Sequence, residues 1–292
     1  MKIFVTSGNG LVGSWIKKTI SLNSNDKYYF HNRTLGDLTN TKVVREIFDN
    51  FAPDVIVHNA AALNGSFDSD DAKELNAKLN MKMYKNLMDN IRQDQKMICF
   101  SSYHVYSGAP PFRVSLLKKL NSKSIYAAEK AEEISLAKNS PNVQFILFPH
   151  LFGVNDNYRD KRAHFIANSI KRIFIAKKND SKELAYFGSI DQVLQYATGE
   201  QAANFAMNLI KNETLNQHQY TNANIGWVAN SYLVFNTICD IIGYRGVIYS
   251  SSDKNKGRDM FFTDNNVYVK KLPSDFYAEL LSTYKSFLRT LR

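Results

Sequence analysis

Residues 3 to 13 read Ile3-Phe4-Val5-Thr6-Ser7-Gly8-Asn9-Gly10-Leu11-Val12-Gly13. A short apolar run ends in a glycine cluster, and an amphipathic segment follows to about Ile20. That is the order strand, tight turn, helix. Gly10 lets the turn pass close to a pyrophosphate, and Gly13 lets the helix pack tightly on the sheet. The helix N-terminus, with its unpaired N–H groups, then faces the phosphates. Gly8, Asn9, Gly10, Leu11, Val12 and Gly13 are therefore candidate dinucleotide-binding residues.

Outward from this unit the chain alternates between two periods. Tyr28-Tyr29-Phe30-His31 is a second strand candidate, and Asp54 to His58 a third, after a helical segment at about 41 to 50. Leu75, Leu79, Met83, Leu87 and Ile91 stand at helical spacing within 72 to 91. Met97 to Phe100 is a fourth strand, about 126 to 138 a helix, and Val143 to Leu147 a fifth strand. Strands alternating with helices specify an α/β fold with a parallel sheet covered on both faces, doubly wound and Rossmann-like. After Gly153 the pattern loosens into a polar stretch, a helix at about 163 to 177, and short segments at 185 to 188, 199 to 210 and 230 to 242. The expected organisation is a nucleotide-binding domain over 1–153, with sheet returns from later segments. A smaller C-terminal substrate-binding subdomain occupies most of 154–292.

Composition narrows the function classes. Of 292 residues, 44% are hydrophobic and 22% charged, an ordinary globular balance. No stretch approaches about 18 consecutive apolar residues, so no membrane span is expected. Met1-Lys2 leads straight into the first strand, which is unlike a secretory signal. Cys99 and Cys239 lie in apolar stretches and read as core residues, with no metal site and a cytoplasmic location expected. The net charge of +10 is scattered, with no run of five or six Lys/Arg, which argues against nucleic acid. It suits a small polyanion such as a dinucleotide or a nucleotide-diphosphate sugar.

The second strand candidate ends in Asn32-Arg33 with no acid, and a cation there favours NADP over NAD. Asp37-Leu38 suits a contact to the adenine edge, and Asn59-Ala60-Ala61 lets the chain pass beneath the cofactor. Ser101-Ser102 ends the fourth strand, and Tyr126-Ala127-Ala128-Glu129-Lys130 follows. A Tyr and a Lys four apart share one helix face. The ammonium is expected to bring the phenol of Tyr126 towards neutrality as a proton donor or acceptor, while Ser102 holds the substrate oxygen. The same spacing arises by chance in a chain with 16 tyrosines. Its place after the fourth strand of a nucleotide fold gives it meaning.

These landmarks resemble the extended short-chain dehydrogenase/reductases over nearly the whole chain. They are Thr6 to Gly13, Asp37-Leu38, Pro53 to Ala61, Asn76 and Asn80, Ser101-Ser102, and Tyr126 with Lys130. The resemblance implies a nicotinamide cofactor on the N-terminal part and a nucleotide sugar on the C-terminal part. The first glycine of the family motif falls on Ser7, with Gly8 beside it, while Gly10 and Gly13 remain. Within the family the chain is most similar to the GDP-L-fucose synthases, NADPH-dependent epimerase/reductases of a 4-keto-6-deoxy sugar. Gly153 to Tyr158 is similar to their loop after the fifth strand. His164-Phe165-Ile166, with Arg172 eight residues on, is similar to their helix carrying a catalytic histidine and a phosphate-binding arginine. Asp253-Lys254 to Gly257 and Asp264 resemble their late substrate-phosphate segment. Ser102, Tyr126, Lys130, His104 and His164 are thereby implied as catalytic. Ser102, Tyr103, His150, Asn157, Arg172 and Lys254 are implied as substrate contacts. The resemblance also implies a homodimer through a four-helix interface made by helices 72 to 91 and 126 to 138. Phe174-Ile175 and Met260-Phe261-Phe262 read as core or dimer contacts.

Three positions depart from the synthase pattern. His104 stands where a catalytic cysteine is expected, no arginine occurs near Leu194, and His150 replaces an asparagine. A 4-keto group acidifies the hydrogens on carbons 3 and 5. Inverting either centre needs one group to remove a proton and another to return one from the opposite face, and histidine can do either near neutral pH. His104 and His164 are the expected pair. Open beside this reading are a 4-ketoreductase without epimerisation on a dTDP-, UDP- or GDP-linked sugar, a 3- and/or 5-epimerase, and a non-catalytic NADP-binding protein. A 4,6-dehydratase would need acids just after the catalytic serine, where Tyr103-His104 supplies none.

Overall fold

The computed structural model describes residues 1–20, 25–62, 68–106, 124–158, 163–212, 219–250 and 271–291. Asp253, Lys254, Gly257, Asp264 and Met260 to Phe262 lie outside the described residues. Six strands form the main sheet: β1 (Lys2–Val5), β2 (Lys27–Phe30), β3 (Val55–His58), β4 (Lys96–Ser102), β5 (Val143–Phe148) and β9 (Tyr220–Asn222). Their order is β2-β1-β3-β4-β5-β9, and every pairing is parallel. The order reverses at β1, so a crevice opens at the carboxyl ends of β1 and β3, where such sheets bind ligands.

Alternation along the strands builds two cores. Phe4, Ile56, Met97, Cys99, Phe145 and Leu147 face one side, under α2 (Thr41–Phe51), α3 (Asp70–Met88) and α4 (Ile125–Leu136). Ile3, Val5, Val57, Ile98, Ile146 and Phe148 face the other, under α1 (Leu11–Thr19) and α6 (Gly199–Lys211). The period-2 pattern of apolar residues on both faces is what a sheet buried on both sides requires. α6 begins with a capping box of Thr198 and Gln201. A Cβ on Gly199 would lie 2.9 Å from Leu11, so this glycine lets α6 approach the start of α1.

A second layer holds a three-stranded sheet ordered β10-β8-β6, with β6 (His150–Phe152), β8 (Val193–Thr198) and β10 (Trp227–Asn230). A parallel pair joins β7 (Glu183–Tyr186) to β11 (Val247–Ser250). α5 (Phe165–Lys178), α7 (Ser231–Ile242) and α8 (Ser274–Arg289) pack together beside them. Trp227 stacks on Phe276 at 4.8 Å and donates its indole N–H to Asp275 at 2.9 Å, which fastens α8 to β10. The apolar periodicity did not announce β6, β8 to β11 or α8; apart from the buried β8, these segments are short or partly exposed. β9 returns to the main sheet beside β5.

Candidate active site

Thr6, just past β1, ties two turns together. Its hydroxyl oxygen accepts from the backbone N–H groups of Asn59 at 3.0 Å and Ala60 at 2.9 Å. The Asn59 side chain in turn accepts from Ser7 N–H at 2.9 Å and donates to Ser7 O at 3.2 Å. The glycine turn and the Asn59-Ala60-Ala61 segment therefore lie side by side at one edge of the sheet. Gly8 N–H donates to His31 O at 2.7 Å. A Cβ on Gly13 would lie 1.8 Å from Ser7 O, so only glycine fits there. Gly10 caps α1 without a side-chain bond, and its first turn holds no acid. Uncapped N–H groups and the helix dipole suit a phosphate.

At the end of β2, Asn32 accepts from Thr34 N–H at 2.9 Å and starts a short turn that carries Arg33 on its exposed side. Asp37 accepts from Thr39 N–H at 2.8 Å. That bond, with Arg33 and Lys82 nearby, holds its carboxyl below the usual range. Leu38 is buried beneath, its carbonyl accepting from Asn86 at 2.8 Å. A glycine cradle with no room for a Cβ at Gly13, a bare helix N-terminus, and the exposed Arg33 at the end of β2 fit a dinucleotide with a 2′-phosphate.

β4 delivers Ser102 to the same edge of the sheet. Ser124 caps α4 by accepting from Ala127 N–H at 3.2 Å, which sets Tyr126 in the first turn and Lys130 one turn on. The hydroxyls of Ser102 and Tyr126 are hydrogen-bonded. Lys130 is buried, and its Nζ donates to both oxygens of Glu133 at 2.9 and 3.1 Å and lies 3.3 Å from Glu129. Glu129 also accepts from Asn80 at 3.0 Å, and Asn80 pairs with the backbone of Ala62 at 2.6 and 3.1 Å. Burial pushes Glu129 up to about 7, against the pull of Lys130. Burial also raises the phenol of Tyr126 above its ordinary value, aided by Glu129 and Glu133, and outweighs Lys130 and Ser102. The ammonium acts in the expected direction, but two carboxylates divide its charge. Behind it, His58 is held neutral, lowered to about 3 by burial and by Lys130.

Histidines gather beyond this set. A short turn, Tyr103–Tyr106, carries His104, whose ring lies 5.8 Å from Tyr126 and 5.1 Å from His150 on β6. His150 lies 6.0 Å from Tyr196. Tyr103, expected among the substrate contacts, is turned inward. Its ring is buried and its hydroxyl donates to Ala223 O at 2.7 Å. His164 caps α5 and belongs to a different cluster. Its Nδ1 lies 3.5 Å from Asp156, whose carboxylate is 2% exposed and also accepts from Asn157 N–H at 2.7 Å. The attraction of Asp156 raises the proton affinity of His164 against the cost of lost hydration. Two turns along α5, the Arg172 guanidinium donates to Ala185 O and stacks on Phe187 at 4.4 Å.

Glu129, Glu133, Asn80, His58 and Asp156 carry much of the electrostatics, yet sequence reasoning gave none of them a role in the chemistry. The one local signal was the acid at either side of Lys130, and an exposed helix face would show the same pattern. Among the described residues no group of three or more His, Cys, Asp or Glu could hold a metal, and no helix is long and apolar enough to cross a membrane.

Residues 3–226 match the NAD dependent epimerase/dehydratase family. A GDP-L-fucose synthase of Dictyostelium discoideum is 22% identical over 215 residues, which are 66% of this chain and 65%, just under two thirds, of that protein. The crystal structure of a GDP-L-fucose synthetase from Naegleria fowleri bound to NADP has a TM-score of 0.75 at 19% identity, covering 99% of this chain and 93% of that one. A GDP-6-OMe-4-keto-L-xylo-heptose reductase from C. jejuni has a TM-score of 0.80 at 13% identity, covering 100% and 98%. The two solved structures share the fold with this chain.

Proposed function

The chain belongs to the NAD dependent epimerase/dehydratase family, and from that premise we propose that it is an enzyme that reduces a GDP-linked 4-keto-6-deoxy sugar with NADPH after epimerising a carbon beside the ketone. The observation that carries this reading is the Ser102–Tyr126–Lys130 set on the sheet edge that also presents the glycine cradle. The names of its relatives point to a GDP-sugar substrate, and the NADP held by the Naegleria fowleri structure supports the choice of cofactor.

In this reading residues 1–153 supply the cofactor half and 154–292 most of the sugar half. Gly8, Asn9, Gly10, Leu11, Val12 and Gly13 receive the pyrophosphate. Asn32 and Arg33 take the 2′-phosphate, and Asp37 and Leu38 border the adenine. Asn59, Ala60 and Ala61 support the site from β3. Bound NADPH supplies a hydride for carbon 4. Tyr126 gives its phenolic proton to the 4-oxygen, and Ser102 orients that oxygen by hydrogen bonding. Lys130 supplies the positive charge beside the phenol. His104 and His164 remove and return the proton at the carbon beside the ketone, and His150 stands 5.1 Å from His104. Asp156 favours the imidazolium form of His164 and suits it to the role of acid. Arg172, Asn157 and Lys254 hold the nucleotide diphosphate.

The assembly in this reading is a homodimer paired through α3 and α4, which expose Leu75 and Leu136. Buried free Cys99 and Cys239 suit the reducing cytoplasm. The test is incubation with NADPH and GDP-, dTDP- and UDP-linked 4-keto-6-deoxy sugars, with products resolved by NMR. Reduction of the GDP sugar, with deuterium entering carbon 3 or 5 from D2O when NADPH is withheld, is the expected result. Reduction without exchange would leave a plain 4-ketoreductase, and no NADPH oxidation on any of the three would overturn the reading.

A further inference from the structure

A lysine one helical turn after a proton-donating tyrosine places positive charge beside the phenol. Here that charge is shared. Lys130 lies between two buried carboxylates, so the three groups together carry one negative charge when all are ionised and none when one carboxyl holds a proton. Glu133 grips Nζ with both oxygens, at 2.9 and 3.1 Å. Glu129 meets it with Oε1 alone, at 3.3 Å, and the same oxygen accepts from Asn80 at 3.0 Å. The other oxygen of Glu129, Oε2, is buried without a hydrogen-bond partner among the described residues. A buried carboxylate oxygen with nothing to accept is costly, and a proton placed on it removes the charge. Glu129 is thus the member of the pair built to take up a proton.

Other titratable groups face it from each element packed against it. From β3, His58 faces Lys130 and is held neutral, lowered to about 3. From α3, Tyr84 is raised by burial and faces Glu133. From β4, Cys99 is raised by burial, with Glu133 and Lys130 nearby. On α4, Tyr126, Lys130 and Glu133 are the immediate neighbours, and Glu132 acts on Glu133 from outside.

We propose that Glu129 is a positioning residue whose protonation sets how much of the charge of Lys130 reaches Tyr126. With a neutral Glu129 the ammonium is shared with Glu133 alone, and the phenol gives up its proton more readily. With an ionised Glu129 a second negative charge stands behind the lysine, and Tyr126 holds its proton more tightly. The proton that passes from Tyr126 to the sugar oxygen is replaced from solvent, and Glu129 keeps its own. This inference rests on the reductase reading above.

The experiment combines two readouts on wild type and Glu129→Gln, which keeps the shape and the hydrogen bonds to Asn80 and Lys130. Rates of ketosugar reduction from pH 5.5 to 9 should show a fall on the order of tenfold across neutrality in wild type, to a plateau, because a unit charge a few ångströms away shifts an acid strongly. Glu129→Gln should lack that step, with KM for the sugar within about twofold. Carboxyl-13C NMR of glutamate-labelled protein should show one resonance titrating near neutrality, absent from the variant and moved upward by Lys130→Met. Should the amide variant not fold, Glu129→Met, which is also neutral and of similar length, should likewise lack the step. A step unchanged by the substitution, or a uniform loss at every pH, overturns the inference. If no ketosugar is reduced, the reductase reading falls. The carboxyl titration then still decides whether Glu129 and Lys130 are coupled, and a Glu129 resonance titrating in the ordinary carboxylate range overturns that too.

Discussion

Gly13→Ala probes the turn on which the fold and the cofactor site both depend. A Cβ at Gly13 would stand 1.8 Å from the carbonyl oxygen of Ser7 and 3.0 Å from Gly8 Cα. Contacts of that kind do not close below about 3.0 Å, so the helix or the turn must retreat by about 1.2 Å, the difference of 3.0 and 1.8. That is most of the roughly 1.5 Å rise of one helical residue. Neither side can give easily. Ser7 is pinned by Asn59 at 2.9 and 3.2 Å, and α1 is held by Val12 and Ile16 in the core against β1, β3 and α6. Overpacking of this kind costs about 1–3 kcal/mol, or a fall in Tm of about 2–10 °C for a chain of this size. The displaced N–H groups should also weaken NADPH binding by about 10- to 100-fold, the value of one or two charge-assisted hydrogen bonds.

Gly10→Ala is the control for stability. Its Cβ would meet only the Ser7 hydroxyl, at 2.8 Å, a side-chain atom that can rotate away, and its φ of −74° and ψ of 174° suit alanine. It should cost under about 0.5 kcal/mol. Thermal unfolding and fluorescence titration with NADPH measure both quantities. Gly13→Ala melting within a degree of wild type with unchanged affinity, or Gly10→Ala losing as much stability, would refute the reasoning.

Two further outcomes concern the buried charges. Lys130→Met strands Glu129 and Glu133 without a counter-ion, which should cost about 3–5 kcal/mol at pH 8. The loss should shrink as the pH falls and the carboxyls take up protons, and adding Glu133→Gln should restore part of it; a pH-independent loss under 1 kcal/mol in denaturant unfolding would show that the three groups are not coupled. His58, lowered to about 3 in the fold from an ordinary 6.5, contributes stability present above pH 6.5 and lost on acidification, at about 1.4 kcal/mol per pH unit. Glu129, raised to about 7 from 4.5, acts with the opposite sign between those values, because the folded state keeps its proton. The two should largely cancel between pH 4.5 and 6.5 in wild type, and His58→Gln should gain on wild type as the pH falls through that window. Parallel stability curves for the two proteins would contradict the buried neutral histidine.

Much of the architecture was legible in the chain. The five strands read from apolar runs correspond to β1 to β5, and the helices read between them to α1 to α4, with ends displaced by a few residues. The strand of Met97 to Phe100 extends to Ser102, and the helix expected from 163 begins at Phe165 with His164 as its cap. β6 and β9, at three residues each, were too short for a repeat to show. The chemistry was legible in part. Tyr126 and Lys130 were identifiable because four residues on a helix bring side chains together. The resemblance implied Tyr103 as a substrate contact; its ring is buried and its hydroxyl bonded to Ala223 O, a placement no local pattern shows. The phenol was expected near neutrality because its neighbouring amine was visible in the sequence. The burial that outweighs that amine was not.

By itself, the order of residues determined the alternation of strands and helices, the glycine turn at their head, and the spacing of tyrosine and lysine on one helix. Each of these depends on backbone geometry over a few neighbouring residues. Only the tertiary structure decided that Lys130 is shared between Glu129 and Glu133, that Asn80 and His58 close around them, and that His150 stands beside His104. Burial and Coulomb coupling depend on distances between segments remote in the chain, and no local pattern encodes those distances.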